Sequence, residues 1–422
     1  MVERRKPIPV EDAVKKVMNF SRTGLIEEVD INQCYGRFLA EDLIADHDVP
    51  PFNRSPYDGF AIRSIDTKDA NLEHQVEFEV IDEIGAGFVS DKRVGSFQAV
   101  RIMTGAQMPV DCDAVVMLEL TKEYKRNGST FMSIKRSFQS GDNISFQGED
   151  TSKGTTLVKK GTFINPGVKA LLATFGYHKV KVAKKPVVGI YATGTELLDV
   201  EEALVPGKIR NSNSHMIFAQ IERAGGIPKY LGKLPDDFEL CYTSIKKAVE
   251  EVDLFLTTGG VSVGDYDYLP AIYEKLGAEV LFNKIAMRPG SVTTVAQLGG
   301  KLLFGLSGNP SACYVGFELY VRPIIRKALF SPNPHLVKVI AELGEDFKKP
   351  NPFTRFVRSR LAFHEGKVMV SPSGVDKSNI VSSIATANAL MVLPGGTRGY
   401  QKGDMVDIFL LEEQEGSTWS WA

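Results

Sequence analysis

Cysteine is scarce in this 422-residue chain: Cys34, Cys112, Cys241 and Cys313 are widely spaced, and no two form a CxxC pair. Together with six scattered histidines (His47, His74, His178, His215, His335 and His364) they make no zinc-binding pattern. Cys241 and Cys313 fall inside apolar patterns and read as small core residues. Catalysis centred on histidine or cysteine is therefore disfavoured, which leaves carboxylates, lysines, arginines and backbone amides to carry any chemistry. Excess charge is missing too. With 50 Lys+Arg against 52 Asp+Glu the net charge is −2, which argues against a general nucleic-acid or polyanion binder, so any anion site has to be local. No apolar run approaches the ~20 residues that cross a bilayer, and the opening MVERRKPIPVEDAVKKV carries no apolar signal region. The expected home is a reducing cytoplasm. A P-loop is absent, and GAG at 85–87 is too short for a dinucleotide fingerprint.

What is present is length. Single cores stop growing near ~250–300 residues, so two to four domains are expected. Residues 9–20 predict an amphipathic helix, with Val10, Ala13, Val14, Val17 and Met18 at helical spacing. The same period predicts a second helix over ~33–45, ending at HDVPPFNRSP. Residues 59–147 alternate in short runs (VEFEVIDEI, QAVRIM, DAVVML, TFMSIK) between turns such as RNGST, a β-rich module. After Lys184–Lys185–Pro186 the grammar changes. VVGIYA, VDLFLTT and LLFGL are apolar strands, and they alternate with the helical stretches SHMIFAQIERA, DDFELCYTSIKKAVEEV and YDYLPAIYEKL. That is an α/β unit with a mostly parallel sheet. Beyond Pro332 and Pro334 short alternating runs return, which predicts a small β-barrel or sandwich.

In open α/β sheets ligands bind beyond the carboxyl ends of the strands. Three such ends carry marked residues: YATGTEL with Glu196; TTGGVSVGDYD with Gly259, Gly260, Ser262, Gly264 and two aspartates; and LSGNPS with Gly308, Asn309 and Ser311 at a helix start, a natural anion site. Each alone is a tight turn with a helix cap; three on one edge favour a ligand site. In NKIAMRPGS, Lys284 and Arg288 share a side whether the segment is helical or extended, and Pro289–Gly290 bends the chain behind them. Such a pair suits phosphate or an oxyanion. In the first half, RSPYDGFA offers Asp58, RIMTGAQMP offers Thr104 and NISFQGEDT offers Asp150. These residue types suit Mg²⁺ held by one or two carboxylates plus substrate phosphate oxygens.

In chain order, PPFNRSPYDGFAIR, VRIMTGAQMP, GDNISFQGEDT, ATGTELL, LTTGGVSVGDYDYL, KIAMRPGSV and GLSGNPSACYVGFELYVRP resemble the molybdopterin molybdenumtransferase family, the MoeA and gephyrin E-domain type, over nearly the whole chain. The α/β motifs alone also resemble smaller adenylyltransferase relatives; PYDGFA and GED single out the larger enzyme. The resemblance implies a multidomain α/β plus β protein: a lever domain from 1–49 and 145–185, an inserted β-rich domain at 50–144, a MogA-like α/β domain at 186–330 and a C-terminal β-barrel at 331–422. It also implies a homodimer whose site joins the α/β domain of one subunit to first-half residues of the other. The implied reaction takes adenylylated molybdopterin and molybdate, inserts the metal at the dithiolene and releases AMP with Mg²⁺ present. Partners would be these small molecules and other proteins of molybdenum cofactor biosynthesis, with no nucleic acid and no membrane.

Carried over by motif, the functional acids are Asp58, Asp150, Glu196, Asp236 and Asp267, with Thr104 beside them; Glu196, Asp236 and Asp267 form the metal set. The resemblance selects Asp267 over Asp265. Gly259, Gly260, Ser262, Gly264, Gly308, Asn309 and Ser311 would line the cofactor site with Lys284, Arg288 and Pro289. Arg355 and Ser378, in TRFVRSR and DKSNIVSS, match the oxyanion ligands, with Arg358 competing for the role of Arg355. Three positions depart from the pattern: Ser145, where arginine is common nearby; Ala312, where a hydroxyl is used toward molybdate, with Ser311 one place early; and Tyr57 in place of methionine. The alternatives are an adenylyltransferase, a non-catalytic gephyrin-like scaffold, and a tungstate-preferring enzyme.

Overall fold

The computed structural model describes residues 6–235, 237–260, 268–412 and 416–421. The chain divides into two compact units, Asp42–Val158 and the remainder, Met1–Glu41 with Lys159–Ala422.

The smaller unit is built on a six-stranded sheet in the order Ala114–Met117, Gly59–Ile62, Gln98–Ile102, Val76–Ile84, Ser129–Ile134, Lys122–Arg126. Only Val76–Ile84 beside Gln98–Ile102 is parallel; the other pairs are antiparallel. The strand Gly59–Ile62 lies between two neighbours and is buried throughout, so Phe60 and Ile62 enter one core with Phe78, Val116 and Met132, while Ala61 enters another with Val100, Ile102 and Val115. The RNGST turn joins the last two strands through Asn127 and Gly128, both at positive φ, as a two-residue hairpin loop requires. The unit extends on both sides of the expected insert 50–144, because Leu43–Ile44 pairs with Thr156–Val158.

The larger unit opens with the helix Val10–Met18, which buries Val10, Ala13, Val14 and Val17 as the spacing predicts. Each of those valines contributes about 1.5–3 kcal/mol of burial. The second helix expected over ~33–45 does not form. A short 3₁₀ turn at Ile31–Gln33 gives way to Gly36 at φ 76, and the Leu39 and Ala40 N–H groups donate to the carbonyls of Thr162 and Lys181. Pairing with a distant segment satisfies the backbone that a helix would satisfy internally, and it buries Phe38, Leu39 and Ala40.

The α/β sheet runs Ile227–Leu234, Val187–Thr193, Leu254–Thr258, Lys301–Leu306, Thr294–Leu298, Glu279–Phe282. The first four strands are parallel, Thr294–Leu298 runs against them, and Glu279–Phe282, antiparallel to that strand, returns to the common direction. Ser212–Ala224 covers one face, where Ile217 and Ile221 meet Ile190, Leu256 and Leu306. Phe238–Glu251 and Leu269–Lys275 cover the other, where Ile245, Val249 and Ile272 meet Phe255 and Leu303. Helices on both faces explain why Leu254–Thr258 is buried at every position and reads as an unbroken apolar run. Asn211 and Asp237 cap their helices by accepting the N–H of Ser214 and Leu240. All four cysteines are buried and free, and burial pushes the Cys313 thiol pKa up, in keeping with a packing role.

The C-terminal strands close into a five-stranded barrel: Thr354–His364, Lys367–Pro372, Lys338–Leu343, Met405–Leu410, Ala389–Leu393 and back to the first. Closure leaves no free edge around a core of Leu343, Val357, Val370, Met391 and Ile408. One short extra strand matters most for the site. Met287–Arg288 pairs in parallel with Thr354–Arg355, which sets Arg288 beside Arg355.

Candidate active site

The three marked loops meet at the carboxyl edge of the sheet. Leaving Leu254–Thr258, the chain turns through Gly259 (φ 103) and Gly260 (φ 69), and a Cβ on Gly259 would fall 2.6 Å from Thr193 Oγ1. Conformation and space both demand glycine there. The Gly259 N–H donates to the Leu306 carbonyl, and a Cβ on Gly308 would lie 3.6 Å from the Gly259 Cα, so the TTGG and LSGN turns run side by side. Asn213 Nδ2 holds the Gly308 carbonyl at 2.8 Å. Glu196 is exposed, and its carboxylate folds back over Gly194, where a Cβ would come 2.3 Å from Oε2. Asp236, Ser262, Gly264, Asp265 and Asp267 lie outside the described residues.

Beside these turns is a cavity of about 340 Å³, lined among others by Arg288, Pro289, Ser291, Ser307, Asn309, Ala312, Arg355, Lys377 and Ser378. Three cationic residues and three serines line one small space, and among the described residues Asp376 is the only carboxylate of that lining. Arg355 is held at three points: Nε donates to Asn351 Oδ1 at 2.6 Å, Nη1 to Asp376 Oδ2 at 2.9 Å and Nη2 to the Pro350 carbonyl at 3.3 Å. The other Asp376 oxygen accepts from Arg358 Nη1 at 3.0 Å. Arg358 is buried behind the wall, tied also to Ser383 and to the carbonyls of Val375 and Lys377. Burial depresses the Arg358 pKa, and the attraction of Asp376 opposes the shift. Of the two competing arginines, then, Arg355 lines the cavity and Arg358 supports it.

Sequence reasoning missed Asp376 and Lys377. Their signal was a charged pair directly before Ser378, and it became readable only once two arginines needed a buried counter-charge. Ser311 does not line the cavity. It is fully buried, with its hydroxyl donating to the Ile380 carbonyl at 2.7 Å and its N–H to the Ser378 carbonyl at 3.0 Å, so it fastens the helix start to the Ser378 loop. Ala312 contributes a methyl group, and hydroxyls come from Ser291, Ser307 and Ser378 instead. Lys284 also stays outside the lining; its carbonyl accepts the Ile8 N–H.

In the smaller unit, Asp58 and Thr104 are joined: Asp58 Oδ1 accepts from the Thr104 N–H at 2.7 Å and from its hydroxyl at 2.8 Å. The backbone bond first, and the hydroxyl second, hold the exposed Asp58 carboxyl below its usual range. Asp150 is exposed, its N–H donating to Val49. Ser145 donates to Glu149 Oε2 at 2.8 Å and is committed to that turn. Among the described residues no group of three His, Cys, Asp or Glu side chains forms a metal cage. Glu196, the described member of the expected Mg²⁺ set, has the hard oxygen donors that such an ion would take in small numbers alongside substrate oxygens.

Comparison with known proteins places the whole chain in one family. Residues 8–176 match the MoeA N-terminal region (domains I and II), 189–327 match a probable molybdopterin binding domain, and 341–411 match the MoeA C-terminal region (domain IV). The chain is 60% identical over its full length to a molybdopterin molybdenumtransferase of Bacillus subtilis, covering 98% of that protein. It is 52% identical to one of Staphylococcus epidermidis, covering 97% of each. A molybdopterin biosynthesis MoeA protein from Pyrococcus horikoshii superposes with a TM-score of 0.81 at 31% identity, covering 96% of this chain and all of that one. With full-length identity at this level and all three regions in order, the chain belongs to the molybdopterin molybdenumtransferase (MoeA) family.

Proposed function

We propose that this protein inserts molybdate into adenylylated molybdopterin and releases AMP. The observation that carries the reading is the small cavity walled by Arg288, Arg355 and Lys377 and set beside the glycine turns of a molybdopterin-binding sheet. Arg355, already held at three points, needs no reorganisation when a tetrahedral dianion arrives. In this reading Arg288, Arg355 and Ser378 receive the oxyanion, and the backbone at Gly259, Gly260, Gly308 and Asn309 approaches the pterin and nucleotide phosphates. Ser262 and Gly264 continue that turn, Lys284 adds long-range positive charge, and Ser311 braces the loop. At phosphorus a water oxygen forms the new P–O bond as the anhydride P–O bond breaks, leaving AMP and the pterin phosphate, with the water protons released. At the metal two Mo–S bonds form as the two dithiolene S–H bonds break, their protons leave with one oxide as water, and no electron is transferred.

Glu196, with Asp236 and Asp267, would hold Mg²⁺, whose role when bound is to neutralise charge on the anhydride oxygens. Asp58, Thr104 and Asp150 would serve the site of a second copy in a homodimer, with the segments within 1–49 and 145–185 as lever. A cytoplasmic location belongs to the same reading; no helix among the described residues is long and apolar enough to cross a membrane. The test supplies adenylylated molybdopterin with and without molybdate and follows AMP. Molybdate-dependent AMP release is expected, whereas adenylylation of molybdopterin from ATP, with no such release, would overturn the proposal in favour of an adenylyltransferase.

A further inference from the structure

A second cavity, of about 250 Å³, lies at the other end of the α/β sheet. Leu254 and Lys301 in its wall begin two of the parallel strands that finish at the candidate active site, and Pro186 directly precedes a third. At ~3.3 Å per residue, those strands put at least a strand length between the two cavities, too far for one small ligand to occupy both. The floor is apolar, formed by Leu254, Leu302 and Ile324 from the main core with buried Pro186. The wall carries Arg22, Lys184 and Lys185, and none of the three has an ion-pair partner among the described residues.

The remaining charges of the lining are already engaged. Lys301 donates its ammonium to the carbonyls of Val249 and Glu250, and the Asp253 carboxylate accepts the Val187 N–H at 2.7 Å. The Arg22 guanidinium reaches Gly300 end-first and occupies the space a Cβ there would need. Lys185 is half-buried, and burial and then the nearby Arg37 charge press its pKa down against weaker help from Glu27 and Glu222. Glu27 is itself paired with Arg37. An anion arriving beside Lys185 would relieve that cost.

We propose that this cavity is a binding site for a small amphipathic organic anion, a carboxylate or sulfonate on a compact apolar body, with its charge toward Arg22, Lys184 and Lys185 and its body on Leu254, Leu302 and Ile324. A bare inorganic anion would leave the apolar floor unused, and a neutral apolar molecule would make no use of a lining in which Arg22, Lys184, Lys185 and Lys301 outnumber the single carboxylate of Asp253. The volume sits just below the ~300 Å³ at which pockets for drug-sized ligands begin, so the ligand is small. Both crossings between the α/β body and the ribbon of Ile26–Asp30 with Lys179–Ala183 run through the wall, fastened to each other where the Lys184 N–H meets the Leu25 carbonyl. Occupancy would stiffen that junction.

The experiment titrates the full chain with para-trifluoromethylbenzoate by fluorine NMR, using para-trifluoromethylbenzyl alcohol as the neutral twin and inorganic phosphate as the bare anion. Saturable one-site binding of the benzoate is expected, with the alcohol and the Lys185→Met variant each at least about tenfold weaker. Ala328→Trp, which fills the cavity, should abolish binding, and Arg288→Ala in the other cavity should leave it unchanged. No saturable binding, equal affinity for acid and alcohol, displacement by phosphate at equal affinity, or loss on Arg288→Ala would each overturn the proposal. If Ala328→Trp fails to fold, Lys185→Met decides alone.

Discussion

Arg355 in the larger unit and Asp58 in the smaller one are both charged residues of the candidate chemistry, and they are held by opposite means. Arg355 is 9% exposed, with Asn351, Asp376 and Pro350 fixing its guanidinium. Asp58 stands in solvent and takes its recorded side-chain hydrogen bonds from Thr104. A buried cation has to bring its counter-charge into the fold, so its geometry is set before any ligand arrives. An exposed carboxylate keeps its hydration and exerts full force only when something covers it, here the proposed second copy or substrate.

Breaking the buried arrangement should have the largest effect. Asp376→Asn leaves Arg355 and Arg358 side by side with no carboxylate, and loss of about 3–5 kcal/mol of stability is expected from urea denaturation. Adding Arg358→Leu to it should recover part of that loss; no recovery would show that Asp376 stabilises the loop by other bonds. Arg355→Ala should lower kcat/KM for molybdate by about 10²–10³, and Arg355→Lys should rescue little, because a point charge cannot reproduce the forked contacts.

His335 extends the comparison to a buried group that is kept neutral. Burial, then the Arg322 charge, push its pKa from 6.5 down to about 4. The unfolded chain takes up that proton first as pH falls, so stability is complete above about pH 6.5 and declines toward pH 4, by up to about 3 kcal/mol. His335→Phe should flatten that part of the pH–stability curve relative to the native chain. The smallest effect is expected in the exposed turn. Thr104→Val removes one of the two bonds to Asp58 and keeps the backbone one, so the Asp58 carboxyl should titrate at higher pH by NMR, with activity falling no more than about tenfold.

Much of this was legible along the chain because the signals are local. Val10, Ala13, Val14 and Val17 share a helix face by spacing alone. The strand–helix alternation after Pro186, and the glycines behind Thr258, needed only period and turn chemistry. The second helix expected over ~33–45 failed because Leu39 and Ala40 find their backbone partners more than a hundred residues away, which no window of sequence contains.

The same boundary runs through the site. Residue types and their order were enough to name the family, the carboxyl-edge loops and the cationic elbow at Arg288, since each depends on neighbours a few positions apart. Which arginine faces the cavity, why Ser311 braces the wall and does not line it, and that Asp376 balances Arg355, Arg358 and Lys349 were decided only by folding. Closing the barrel and pairing Met287–Arg288 with Thr354–Arg355 brings distant charges together, and the buried ones, Arg355 and Arg358, must find a partner there, a demand that selects Asp376.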